Sequence, residues 1–243
     1  MHLLTVGDAV PRSSALSSWE PLVENRILDY DSEHGMENKS ATARPEAKGT
    51  HRPGILDAMI RPVLRDRLRR QHAEEADTVL IEELGLCRGR VRVDLAVVNG
   101  SLHGFEIKSD RDSLKRLATQ VDLYSQVLDR ATLVVGERFA PLATSLVPEW
   151  WGVVRVSSKP TGLRFTTLRR SRLNPQRNAR MLAELLWSGQ ALALLEEHGA
   201  ARGMRGKPRR VLWDRVCECL SVGEIAAAVR DRLKANSGSE ALA

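Results

Sequence analysis

The chain has 243 residues, 42% hydrophobic and 28% charged, with a net charge of +6. That length and apolar content suffice for a core that folds without disulfide staples and exclude an intrinsically disordered chain. No apolar run is long enough to cross a membrane, residues 1–10 lack the basic start and long apolar stretch of a secretory signal, and Cys87, Cys217 and Cys219 lack framework spacing, so a cytoplasmic protein is expected.

Residues 1–54 carry 6 basic and 8 acidic side chains. Two apolar pieces, 3–10 and 19–28, precede a stretch rich in Ser, Glu, Lys, Asn and Pro, so this part is expected to be a largely flexible segment and linker. Leu56, Ile60, Val63, Leu64 and Leu68 then recur at helical spacing and predict a helix over 55–71, with Pro62 tolerated as a kink or near the first turn. A β-type run over 78–84 is followed by a turn around Gly89 and a second strand over 91–98. Asn99-Gly100 is the signature of a two-residue type I′ turn, which predicts a third strand over 102–108, antiparallel to the second.

Ser109 and Asp110 are placed to cap a helix whose Leu114, Leu117, Ala118, Val121, Tyr124 and Leu128 share one face. Residues 131–135 read as a fourth strand, and 151–156 with 163–168 as a hairpin that extends the same layer. Beyond Asn174-Pro175 the pattern is helical, near 176–187, 190–198, 208–220 and 222–234. The organisation expected is an α/β domain over 55–170, a helical basic subdomain over 171–234 and a disordered tail over 235–243. Residues 137–234 hold 18 basic against 9 acidic side chains. Arg202, Arg205, Lys207, Arg209 and Arg210 are concentrated there, as either a solvated helical surface or a surface facing phosphates.

The chemistry concentrates between Asp94 and Tyr124. Glu106 and Lys108 share a face of strand three, about 7 Å apart along it. A two-residue turn pairs Asp94 with Phe105, diagonal to Glu106, and one extra residue in the turn places the carboxylates opposite each other. Two carboxylates and an ammonium among apolar strands either form a salt-bridged edge or hold a hard cation such as Mg²⁺. Arg92, two residues before Asp94, points the same way and can bind a phosphate or pair with a carboxylate. Gln120 and Tyr124, four apart, share a helix face. His103 is expected on the opposite face of its strand, and Cys217, Cys219, Trp150, Trp151, Trp187 and Trp213 are expected to pack in the interior.

Asp94, eleven residues and then Glu106-Ile107-Lys108, set in a helix, three-strand, helix, strand order, resembles the PD-(D/E)xK nuclease superfamily. Gln-x-x-x-Tyr on the following helix resembles the exonuclease domain of RecB-type helicase–nucleases. Over about residues 55–234 the chain is also similar to a group of uncharacterised bacterial proteins of that superfamily, through Asp57 with Arg61, Glu82-Glu83-Leu84, Arg92-Val93-Asp94, Gly104 to Ser109, Trp151-Gly152, Leu186-Trp187, Arg209-Arg210 and Leu212-Trp213. The resemblance implies a restriction-endonuclease-like core with an added hairpin and a helical C-terminal region. It further implies that Asp94, Glu106 and the Ile107 carbonyl hold Mg²⁺, or Mn²⁺ in its place, and that Lys108 positions the attacking water. Many members carry a further Glu on the first helix. That helix offers only Asp57 and Asp66, which leaves the role to Glu83 or Glu82, with Glu83 preferred.

Under this resemblance Arg92, Gln120, Tyr124, Arg205, Lys207, Arg209 and Arg210 contact nucleic acid, most naturally DNA. The function implied is phosphodiester hydrolysis in DNA repair, processing or antiphage defence, with a protein partner or a second copy as further company and no membrane. The alternative is a nucleic-acid-binding or protein-interaction module that keeps the nuclease fold without turnover.

Overall fold

The computed structural model describes residues 54–240, so the expectations for residues 1–53 and 241–243 lie outside the described residues. A helix α1 (Asp57–Gln71) is followed by the antiparallel strands β1 (Val79–Leu86), β2 (Val91–Val98) and β3 (Leu102–Lys108). Helix α2 (Leu117–Ser125) crosses over to β4 (Arg130–Val135), parallel to β3, and β5 (Gly152–Lys159) and β6 (Gly162–Arg169) complete the sheet as a hairpin. The result is a mixed α/β fold with one six-stranded sheet in sequential order, β1 to β6. Its centre, β3 to β5, is parallel.

The two faces of the sheet are covered unequally. Ile60, Leu64 and Leu68, the buried stripe of α1, pack with Leu95, Phe105 and Val134 on one face. On the other, Val93, Leu133 and Val153 share a larger cluster with α2 and with the C-terminal helices. Those helices are α3 (Ala179–Ala183), α4 (Ser188–Glu197), α5 (Arg209–Cys219) and α6 (Val222–Glu240). Leu182, Leu194, Trp213 and Ile225 therefore belong to the same hydrophobic core as the sheet. Parallel strands buried on both faces read as near-continuous apolar runs, as in Ala131–Val135, where Thr132 is the one polar residue. Gly104 is required by close approach, because a Cβ there would lie 2.5 Å from Leu128.

Four local expectations are corrected. The second helix begins at Leu117 and not at Ser109, because the acidic side chains ahead of it are used elsewhere. Asp112 accepts from the Ser109 N–H at 2.6 Å, while Asp110 accepts from the Ile55 and Arg138 N–H groups at 3.0 Å each. The expected helix over 176–187 shrinks to Ala179–Ala183, started by the Asn178 side chain accepting from the Met181 N–H. Helix α6 runs to Glu240, through residues expected to be a disordered tail, and is held near that end by the Lys234 ion pairs to Asp77 and Asp231. The Asn99-Gly100 turn is the fourth, described below. Among the described residues no helix is long and apolar enough to cross a membrane.

Candidate active site

The hairpin between β2 and β3 sets the site. Val98 pairs with Leu102, so the connection has three residues, Asn99, Gly100 and Ser101, and neither Asn99 nor Gly100 has positive φ. The Asn99 side chain accepts from the Ser101 N–H at 3.0 Å and closes the loop without the type I′ conformation. The added residue moves the register to Leu95 opposite Phe105, which brings Asp94 level with Glu106 and not diagonal to it. There the ladder stops. The Asp94 carboxylate takes its place, with Oδ2 accepting from the Ile107 N–H at 2.7 Å.

Glu106 is the buried centre, with 2% of its surface exposed. Lys108, two residues on and hence on the same face, donates to Oε1 at 2.6 Å. Helix α2 supplies two more donors from one face: Gln120 Nε2 to Oε1 and the Tyr124 hydroxyl to Oε2, both at 2.6 Å. Tyr124 is in turn backed by Trp151, stacked nearly parallel to it at 6.0 Å between ring centroids. Its hydroxyl also lies 2.6 Å from the Arg92 carbonyl, yet a phenol has one proton to give. The Tyr124 proton therefore serves Glu106 or the Arg92 carbonyl, one at a time. Burial pushes the Glu106 carboxyl above its ordinary range despite Lys108, and the charge of Asp94 adds to the rise. Burial also raises Asp94, against the pull of the Ile107 N–H and Arg61.

This fixes the sign of a pH dependence. Above the ordinary glutamate value the unfolded chain releases the Glu106 proton while the folded protein keeps it, so this group's contribution to stability falls as pH rises through its folded value. Glu106→Gln cannot ionise. In EDTA, the difference in melting temperature between Glu106→Gln and wild type should shift in favour of the variant as pH is raised from about 4 to about 8. A constant difference would show that Glu106 is ionised throughout.

Arg61 of α1 is the residue that sequence reasoning left out of the site. Its guanidinium donates to Asp57 at 3.2 Å, Glu83 at 2.7 Å and Asp94 Oδ1 at 2.8 Å, and also to the Asp94 carbonyl at 3.1 Å. Asp57 and Arg61 were visible as a pair four apart on a helix; only the packing of α1 across the end of β2 shows that both face the carboxylates. Asp57 thus lies in the cleft on the first helix, beside Glu83, where the role of a helix carboxylate had been left to strand one alone. Glu83 has φ of +55° between the paired residues Glu82 and Leu84, a conformation uncommon for a side-chain-bearing residue. The twist turns Glu83 toward Arg61, while Glu82 pairs with Arg65 at 3.4 Å.

These groups line one cleft of about 610 Å³, shared by Asp57, Arg61, Glu83, Asp94, Glu106 and Lys108. Ile107, Gln120 and the exposed Arg92 also border it, as do Arg90 and Arg116. Arg205, Lys207, Arg209 and Arg210 do not line it, and Arg205 instead pairs with Glu196 at 2.8 Å. His103 lies half-buried on the opposite face, bonded to Thr132 at 2.9 Å and stacked on Phe105. Burial holds its imidazole far below the ordinary range, down to about 3. Of the tryptophans expected inside, Trp151 and Trp213 are buried, but Trp187 is 66% exposed. Cys219 is exposed as well, against the expectation of a packing residue.

Among the described residues, no group of three or more His, Cys, Asp or Glu side chains is gathered as a metal site. A two-carboxylate site is a different case. A carboxylate offers about four acceptor positions. Glu106 accepts from Lys108, Gln120 and Tyr124, and Asp94 accepts from Arg61 and Ile107, so both retain acceptor capacity. Hard oxygen ligands from two carboxylates, with water completing the shell, suit Mg²⁺. The donor set therefore fits that ion.

The sequence model of a protein family described as bacteriophage P4 protein cII matches residues 57–241. A curated relative, "Protein cII" of Enterobacteria phage P4, is 32% identical over 124 residues, which cover 51% of this chain and 47% of the relative. The chain thus aligns with about half the length of that relative. No solved structure matches.

Proposed function

We propose that this chain, which belongs to the bacteriophage P4 protein cII family, is a metal-dependent nuclease that hydrolyses phosphodiester bonds, most naturally in DNA. The observation that carries the reading is Glu106, a buried carboxylate held by Lys108, Gln120 and Tyr124 and facing Asp94 across parted strands. The order α1, β1, β2, β3, α2, β4 around that point is consistent with a restriction-endonuclease-like core of the PD-(D/E)xK superfamily. Fold likeness alone does not make an enzyme; the residues of the site do.

In this reading Asp94, Glu106 and the Ile107 carbonyl would hold Mg²⁺, which would supply Lewis-acid polarisation of the phosphate and of water. Lys108 orients the attacking water through its Nζ, fixed by Glu106. Gln120 and Tyr124 keep the Glu106 carboxyl in one rotamer, and Arg61 does the same for Asp94 and Glu83. Arg92, mostly exposed at the rim, meets the incoming phosphate with Arg90 and Arg116.

One observation favours a second reading, a nucleic-acid-binding module without turnover. Arg61 already neutralises Asp94 and Glu83 from within the chain. Incubation of the full chain with linear, circular, single-stranded and branched DNA, and with RNA, in Mg²⁺, Mn²⁺ or EDTA separates the two. Metal-dependent cleavage of any of them supports the nuclease; binding without cleavage in every metal supports the module.

A further inference from the structure

The turn between β1 and β2 separates two hollows. Cys87, Arg88 and Gly89 have φ of +51°, +60° and +80°, three consecutive left-handed residues of which two carry side chains. Such conformations are unfavourable and persist where the surroundings hold them. Gly89 borders the catalytic cleft on one side. On the other it borders a second hollow of about 380 Å³, which Arg88, Trp187, Arg209 and Trp213 also line.

Trp187 is the most exposed large apolar side chain among the described residues, at 66%. Its backbone N–H donates to Gln190 Oε1 at 2.9 Å, which fixes the main chain at the start of α4. The Arg209 guanidinium lies 5.7 Å from the Trp187 ring centroid and 4.9 Å from that of Trp213. Arg180 adds a further cation at 5.2 Å from Trp213, which is itself buried and anchored through Nε1 to the Leu186 carbonyl at 3.0 Å. Arg180 is paired with Glu184 and Asp214, but no ion pair is formed by Arg88 or Arg209 among the described residues. The hollow thus combines an exposed flat aromatic face beside the Arg209 guanidinium with two cations free to meet an anion, while Glu184, which also lines it, is paired with Arg180. Arg90 and Arg92 continue the positive charge past the turn into the cleft.

We propose that Trp187 and Arg209 form a stacking platform for an unpaired base of a nucleic-acid strand that reaches the catalytic cleft across the Arg88-Gly89 turn. The inference rests on the nuclease reading for its class of ligand and adds the form of the substrate. Bases inside a duplex stack on one another, so only a single strand or an opened end presents a free π face to Trp187. Arg88 and Arg209 contact the phosphates that flank the stacked base, since guanidinium groups bind phosphate oxygens directionally. The substrate favoured is therefore a single strand or a duplex with a frayed end.

The test is fluorescence anisotropy of the full chain in EDTA, with a labelled oligothymidylate and a labelled abasic sugar-phosphate oligomer of equal length as probes. Loss of one base stack weakens binding roughly 5- to 160-fold. Wild type should bind oligothymidylate more tightly than the abasic oligomer by such a factor. Trp187→Ala should lose that preference and leave abasic binding unchanged, and Trp187→Phe should restore it in part. Equal preference in wild type and Trp187→Ala overturns the platform while leaving the nuclease reading intact. Wild type that binds neither probe at low salt also overturns the platform, and cleavage of duplex or branched DNA with Mg²⁺ then decides the nuclease reading separately.

Discussion

Asp94→Asn and Lys108→Met should each lower cleavage by about 10³-fold or more, yet they should differ in what else they lose. A metal ion contributes several kcal/mol of transition-state stabilisation, and each 1.36 kcal/mol is a factor of ten in rate. Asp94→Asn removes a ligand charge and should lose Mg²⁺ binding together with turnover. Its fold should persist, because the amide oxygen can still accept from the Ile107 N–H that the carboxylate now holds at 2.7 Å. Lys108→Met keeps both carboxylates and an apolar stem of similar length. Mg²⁺ binding should survive in it, while the water loses its positioning partner. Calorimetric titration of Mg²⁺ beside a single-turnover cleavage assay reads both effects. Equal loss of Mg²⁺ binding in the two variants would remove the separate role of Lys108.

The second large effect concerns stability. Asp129 lies just ahead of β4 and is buried. One carboxylate oxygen accepts from the Leu102 N–H at 2.7 Å and from Arg230 of α6 at 3.1 Å, and the other is paired with Arg177. The Asp129 carbonyl accepts from the Asn174 N–H at 2.9 Å, so one residue ties the start of β3 to the approach to α3 and to α6. Asp129→Ala leaves a buried N–H and two mostly covered guanidinium groups without their carboxylate. Breaking a buried pair from one side costs about 3 to 5 kcal/mol. Urea unfolding should show that loss, with Asp129→Asn falling less because its amide oxygen can still serve Leu102. A loss under about 1 kcal/mol for the alanine variant, within the range of an exposed pair, would show that this junction does not hold the C-terminal helices to the sheet.

Periodicity was enough to find the strands that carry Asp94, Glu106 and Lys108, and the helix that brings Gln120 and Tyr124 to them. These depend on local repeats of two and of 3.6 residues. What the chain concealed depends on distant partners. The Asn99-Gly100 pair suggested positive φ, but Asn99 used its own side chain to close a longer loop, and that one residue set Asp94 level with Glu106. Alternation placed Glu82 and Glu83 on opposite faces without choosing between them; the choice came from a left-handed twist at Glu83 and an arginine on another helix. Ser109 and Asp110 had the composition of a helix cap, but Asp110 was committed to Ile55 and Arg138 across the fold. Trp187 looked like core beside apolar neighbours, but it stands exposed at the N-cap of α4, ahead of the helix.

The cleft around Glu106 is proposed to hydrolyse phosphodiesters. The most direct measurement compares wild type and Asp94→Asn, purified in parallel, on labelled single-stranded and duplex DNA with Mg²⁺ and then with EDTA. Wild type should cleave with Mg²⁺ and stop on addition of EDTA, while Asp94→Asn should leave the substrate intact under both conditions. Cleavage by Asp94→Asn at the wild-type rate, or intact substrate with wild type in every metal, would contradict it.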